Sequence, residues 1–90
     1  MNLYKLEGIT LPNGKSREDG RYPIRLGSTY EILFLEEEKP MLLGYVLDNK
    51  GNSKEGTLRT STVKKYEYVE DDGLYIVETL NTIYYLHKIV

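Results

Sequence analysis

From residue 29 onward, apolar side chains recur at every second position in short runs broken by turn residues. In residues 29–36, Tyr30, Ile32 and Phe34 share one face, and Glu31, Leu33 and Leu35 share the other. Residues 41–47 return with Met41, Leu43, Tyr45 and Leu47 on one face and Gly44 opposite as a bend. A period of two is the period of a half-buried strand, not of a helix. Composition agrees: alanine and glutamine are absent, while tyrosine occurs nine times, threonine seven, isoleucine six and valine five. The missing residues are strong helix formers, and the abundant ones suit a pleated surface. The chain therefore reads as all-β.

The punctuation predicts how the runs connect. Pro12, Asn13 and Gly14 form a turn after a first strand over residues 3–11, in which Gly8 marks a bulge. Glu36, Glu37, Glu38, Lys39 and Pro40 make a charged turn, and residues 48–56 form a polar connection. A short strand at 57–61 enters a hydroxyl-rich corner, where Ser and Thr side chains can bond nearby backbone amides. A strand at 63–70 then places Tyr66 and Tyr68 opposite Val63, Lys65, Glu67 and Val69, with the two tyrosines read as half-buried core. Asp71, Asp72 and Gly73 form a hairpin turn with positive φ at the glycine. Residues 74–80 return, Asn81 and Thr82 turn again, and 83–90 form the last strand. Six strands from residue 29 onward, joinable as hairpins, predict a small antiparallel meander closing into a barrel of about five to seven strands. Both faces of the last strand are apolar. Either Tyr84 and Leu86 face inward, or Ile83, Tyr85 and Ile89 do.

Residues 58–63, Leu-Arg-Thr-Ser-Thr-Val, followed by residues 79–86, Thr-Leu-Asn-Thr-Ile-Tyr-Tyr-Leu, resemble a pattern in small uncharacterised proteins of Gram-positive bacteria and their phages. There a Thr-Ser-x-Val corner precedes a hairpin ending Thr-x-Asn-Ser/Thr-x-Tyr-x-Leu. The resemblance covers the last third of the chain and its motifs are structural. It implies a strongly bent barrel of the Src-homology-3 type, with Tyr84 and Leu86 inward and Tyr85 and His87 outward.

Length and charge narrow the function. Ninety residues fit one domain, and 12 Lys+Arg against 14 Asp+Glu give a net charge of −2. That balance suits neither a bulk nucleic-acid binder nor a polyanion mimic. With no cysteine and one histidine, zinc–cysteine sites, thiolate nucleophiles and histidine-rich metal sites are excluded, so no metal or cofactor is expected. No apolar run reaches membrane-spanning length, and the first residues lack the basic-then-apolar layout of a signal peptide. The expected location is the cytoplasm.

No residue pattern carries chemistry. His87 would need an orienting carboxylate and a partner, with Glu78, Ser61 and Thr82 as the candidates, and no hydrolase or zincin motif is present. A surface histidine is the plainer reading. The acidic runs at 36–38 and 70–72 lack calcium-loop spacing and suit solvated hairpin turns. The glycine-containing loops lack phosphate-loop spacing.

Binding features are stronger. Residues 15–28 form a long basic loop in which Lys15, Arg17, Arg21 and Arg25 face Glu18 and Asp19, an excess of two positive charges. Residues 16–19 could make one helical turn before Gly20 stops it. The arginines step by four, but Gly20 and Pro23 argue against a helix, and Tyr22, Ile24 and Leu26 alternate. Such loops on rigid scaffolds are natural recognition elements. Lys64, Tyr66 and Tyr68 place cations beside rings, the composition of surfaces that stack single-stranded bases, although Glu67 interrupts them. Nine tyrosines exceed what a small barrel can bury, which leaves some, from among Tyr45, Tyr66, Tyr75 and Tyr85, partly exposed as interface anchors. The expected function is a non-enzymatic protein-binding module, an inhibitor or regulator, of phage or mobile-element origin if the resemblance holds. Its contact residues would be Arg17, Arg21, Arg25, Lys64, Tyr66, Tyr68, Tyr85 and His87. The alternatives are a nucleic-acid accessory protein using the Lys/Tyr strand, and self-association through a strand edge.

Overall fold

The computed structural model describes residues 2–89. Six strands run in sequence order around an antiparallel closed barrel: β1 (Tyr4–Thr10), β2 (Thr29–Phe34), β3 (Pro40–Leu47), β4 (Thr57–Val69), β5 (Leu74–Thr79) and β6 (Ile83–Lys88). The only helix among the described residues is one turn, α1 (Tyr22–Arg25), inside the long loop. The architecture is compatible with a Src-homology-3-like barrel.

Closure is uneven. β1 pairs with β6 from Tyr4↔Lys88 to Thr10↔Ile83, with the expected bulge between Leu6 and Gly8. The other side of β1 meets β2 at only two positions, Tyr4↔Tyr30 and Lys5↔Thr29. Gly8 lies opposite Tyr85, and a Cβ there would come within 3.0 Å of the Tyr85 ring. The aromatic ring thus covers the bare backbone of the bulge, a cross-strand arrangement that compensates for glycine in a sheet.

The core is built from alternate residues. Leu6, Ile9, Tyr30, Met41, Leu43, Val63, Val77 and Leu86 are essentially inaccessible, and Tyr84 is buried with them. The last strand therefore turns Tyr84 and Leu86 inward. Cutting a buried Leu back to Ala typically costs about 2–5 kcal/mol. That is a large part of the roughly 5–15 kcal/mol that holds a small domain folded.

Four expectations change. First, residues 57–61 and 63–70 belong to one strand. β4 runs 13 residues and bends at a bulge between Val63 and Lys65. The corner bends the ladder without breaking it, because Thr60 Oγ1 accepts the Met41 N–H at 3.0 Å and donates to the Ser61 carbonyl at 2.8 Å. Second, that bulge shifts the face by one residue, so Val63 points inward with Tyr66 and Tyr68. Third, a bulge between Ile32 and Phe34 makes the faces of β2 non-alternating: Leu33 is exposed while Leu35, just past the strand, packs on the core.

Fourth, the long loop forms its helical turn at 22–25, not at 16–19. Pro23 sits in the first turn, where its missing N–H costs nothing. Tyr22 and Leu26, one turn apart, pack on the core, and Ile24 is exposed on the far side. Ser16 instead pairs in extended form with Thr10.

Candidate functional site

The two ends of the barrel are built differently. One end carries the 11–28 loop, the 48–56 loop and the β5–β6 turn. Here the long loop folds over the barrel mouth. Gly27 N–H donates to Leu6 O at 2.8 Å, and Leu6 N–H donates to Ser28 O at 3.0 Å. The Arg17 guanidinium donates to Thr82 Oγ1 at 2.6 Å and to Asn81 O at 3.0 Å, and pairs with Asp19 at 3.1 Å. It also lies 4.2 Å over the Tyr22 ring, which Arg25 approaches at 5.2 Å. Arg17 thus joins the loop to the β5–β6 turn. Its hydrogen bond holds the Asp19 carboxyl below the usual carboxylate range. Beneath this lid, burial pushes the Tyr84 hydroxyl up to about 12, with the nearby Tyr22 hydroxyl acting in the same direction. Burial raises Tyr30 as well, with the adjoining Tyr45 hydroxyl acting in the same direction. Tyr45 and Ser28 lie beside the Tyr30 hydroxyl without forming a hydrogen bond of full geometry to it.

The opposite end is open. It is formed by the start of β1, the β2–β3 turn and the β4–β5 hairpin. β3 pairs with β4 only as far as Thr62, and the β2–β3 turn adds hydrogen bonds to Val63 through Glu38 and Lys39. Beyond that point β4 pairs with β5 alone, so the inward face of the hairpin projects past the sheet that would cover it. That face carries tyrosines. Tyr66 and Tyr68 are 40% and 39% exposed, more open than core residues, with Tyr66 among the tyrosines expected to be left partly exposed. Alternation assigned them correctly to the inner face, but their strand outruns the opposite wall.

Tyr75 is the hub of the cluster. Its ring centroid lies 4.6 Å from that of Tyr68, 5.5 Å from that of Tyr4 in an edge-on arrangement, and 6.4 Å from that of Tyr66. Aromatic pairs at such separations contribute roughly 0.5–1.5 kcal/mol beyond burial. A cleft of about 420 Å³ opens between this cluster and the end of β2, walled by Tyr4, Tyr66 and Tyr75 on one side and by Ile32, Leu35 and Glu31 on the other. Burial raises the Tyr4 hydroxyl pKa, and the neighbouring Tyr75 and Tyr68 hydroxyls add to the effect. The phenolic groups therefore converge at this opening.

The named sequence candidates fall into three places. Tyr66 lines the cleft and Tyr68 packs on Tyr75 beside it, with Lys64 exposed on the same strand. Arg17, Arg21 and Arg25 lie at the lidded end. Arg17 and Arg25 are engaged with Tyr22, while Arg21 is exposed. Tyr85 and His87 point outward from β6, and Tyr85, but not His87, lines a shallow groove of about 440 Å³ with Lys65, Glu67, Ile76, Glu78 and Ile83. His87 does not meet Glu78. It pairs across from Leu74, whereas Glu78 pairs across from Ile83, about four residues or roughly 13 Å along the strands. His87 Nδ1 lies 3.2 Å from Glu7 Oε2 instead. Among the described residues, no cluster of His, Asp or Glu could hold a metal ion.

Sequence reasoning missed Tyr4, Glu31, Ile32 and Leu35 as cleft residues. Tyr75 was open to it: Tyr68 and Tyr75 are equidistant from the turn at 70–73 and therefore face each other. No sequence signal marks the contribution of Tyr4, because β1 joins the site only through barrel closure. No family model, curated protein or solved structure matches the chain.

Proposed function

We propose that this chain is a non-enzymatic module that binds a protein partner at the tyrosine-lined end of its barrel, acting as an inhibitor or regulator. One observation carries the reading: two large aromatic side chains, Tyr66 and Tyr68, stand exposed beside a third ring and a cleft of mixed polar and apolar lining. Partly exposed, mutually braced tyrosines lose little side-chain freedom on binding and are favoured interface anchors. A cytoplasmic location follows from composition. An origin in a phage or mobile element of a Gram-positive bacterium rests on the resemblance in the last third of the chain.

The test is co-purification from the source organism's cytoplasm, comparing the native chain with Tyr66→Ala/Tyr68→Ala. A stoichiometric partner retained by the native protein and lost by the folded variant is the expected result. Equal recovery with both removes this end of the barrel from the interface.

A nucleic-acid accessory role draws on the same exposure, because Tyr66 and Tyr68 share their strand with Lys64 and Lys65. Lys65 lies 3.9 Å from Glu78, and Glu31 lines the cleft, which weakens that reading. Its signature would be oligonucleotide affinity falling steeply with salt.

A further inference from the structure

Cations of this chain cover aromatic rings elsewhere on the barrel. Arg17 and Arg25 lie against Tyr22, Lys54 stands 4.1 Å from the centroid of Tyr45, and Lys39 stands 5.8 Å from that of Phe34. No cation of the described residues lies over Tyr30 or Tyr84, because they are enclosed in the core, and the Tyr85 ring lies over Gly8. The cluster at the open end is bare without either reason for Tyr66 and Tyr68. Among the described residues, no cation lies over Tyr4, Tyr66, Tyr68 or Tyr75.

The charge around the cluster is also of one dominant sign. Glu31 stands in the cleft wall, with no hydrogen bond or ion pair of its own among the described residues. Leu35 in the same wall leads directly into Glu36, Glu37 and Glu38, and Tyr68 is followed two residues on by Glu70, Asp71 and Asp72. The opposing charges are Lys64 and Lys65 on β4 itself, Lys65 lying 3.9 Å from Glu78, Lys39 over the Phe34 ring, and Lys88, whose stem packs near Gly73 at the hairpin tip. Aromatic faces attract cations through their quadrupole, most strongly where a site is partly desolvated. A carboxylate in the same wall supplies the counter-charge.

We infer that this cleft receives the side chain of an arginine or lysine from a partner protein, its charged head against the faces of Tyr66 and Tyr75 and within reach of Glu31. The inference rests on the binding role proposed above and specifies its chemistry. An apolar side chain could fill the same walls, but it would leave Glu31 without a partner and gain nothing from the uncovered rings.

The test uses the full chain, isotopically labelled, titrated with a capped Gly-Ser-Arg-Gly peptide and with the same peptide carrying neutral citrulline in place of arginine. The expected result is amide shifts confined to the residues that wall the cleft, Glu31 among them, and ring shifts confined to Tyr4, Tyr66, Tyr68 and Tyr75. Citrulline should weaken binding about three- to fivefold, the scale of one cation–π contact at a partly exposed site. Glu31→Gln should weaken the arginine peptide while leaving the citrulline peptide unchanged. Tyr66→Leu, which keeps a side chain in the wall but removes one ring face, should reduce the preference between the two peptides, and combining it with Glu31→Gln should abolish it.

Equal affinity for both peptides overturns the inference, as does an arginine peptide that shifts residues elsewhere or none at all. If the peptide result fails while Tyr66→Ala/Tyr68→Ala still releases a co-purified partner, the binding role stands and only its cationic chemistry falls. If both fail, the open end is not the interface.

Discussion

The two ends of this barrel use the same residue types for opposite purposes. At the lidded end, arginine and tyrosine satisfy one another: Arg17 stacks on Tyr22, bonds the β5–β6 turn and helps cover Tyr84. At the open end, tyrosines brace only one another around Tyr75, and the cleft beside them contains a carboxylate. The lesson is that composition alone does not say whether neighbouring arginines and tyrosines satisfy one another or stand open. In the arginine-rich loop, expected as a recognition element, Arg17 and Arg25 are engaged with Tyr22 while Arg21 stays exposed. Tyr66 and Tyr68, read in sequence both as half-buried core and as contact residues, are left accessible.

Substitutions should separate the two ends by what they damage. The largest expected effect is at the lidded end. Tyr84→Ala should cost about 3–5 kcal/mol, as for other large buried aromatics, and chemical denaturation would measure it. If that loss were matched by Tyr66→Ala, the division between structural and exposed tyrosines would collapse.

Alkaline pH offers the next largest effect. Tyr84 titrates near 10 when unfolded and about 12 when folded, so the unfolded chain loses this proton first as pH rises. The stabilisation is fully present below pH 10 and is lost as pH rises toward 12. It amounts to about 2–3 kcal/mol. Tyr84→Phe should flatten that decline without removing it, because Tyr30 is shifted in the same direction. Denaturation across the alkaline range, alongside tyrosinate absorbance, would check this.

Arg17→Ala should destabilise by roughly 1.5–3 kcal/mol, the scale of hydrogen bonds made by a charged group, and should loosen hydrogen exchange at the β5–β6 turn. Arg21→Ala, at an exposed position in the same loop, should stay within about 0.5 kcal/mol of the native protein. Tyr66→Ala should cost about 1–2 kcal/mol in thermal or chemical unfolding, well short of Tyr84→Ala, since its ring is 40% exposed yet still packs toward Tyr75. The smallest effect should come from Tyr30→Phe. Deleting a buried hydroxyl that lacks a partner should be neutral or slightly stabilising. A loss above about 1 kcal/mol would show that this hydroxyl is satisfied after all.

Alternation and turn chemistry determined the all-β class, the hairpin at 70–73 and the bulge at Gly8, because these depend on side chains within one strand or one turn. The pattern could not reveal how far β4 outruns β3. That overhang makes exposed residues of Tyr66 and Tyr68 although both lie on the inner face. Nor could it set the last strand's face, since both faces of residues 83–89 are apolar. Tertiary pairing of β6 with β1 and β5 decided that Tyr84 points inward. It also brought Tyr4 beside Tyr75 from the other end of the chain, because closing a sheet joins strands whose partners local sequence does not encode.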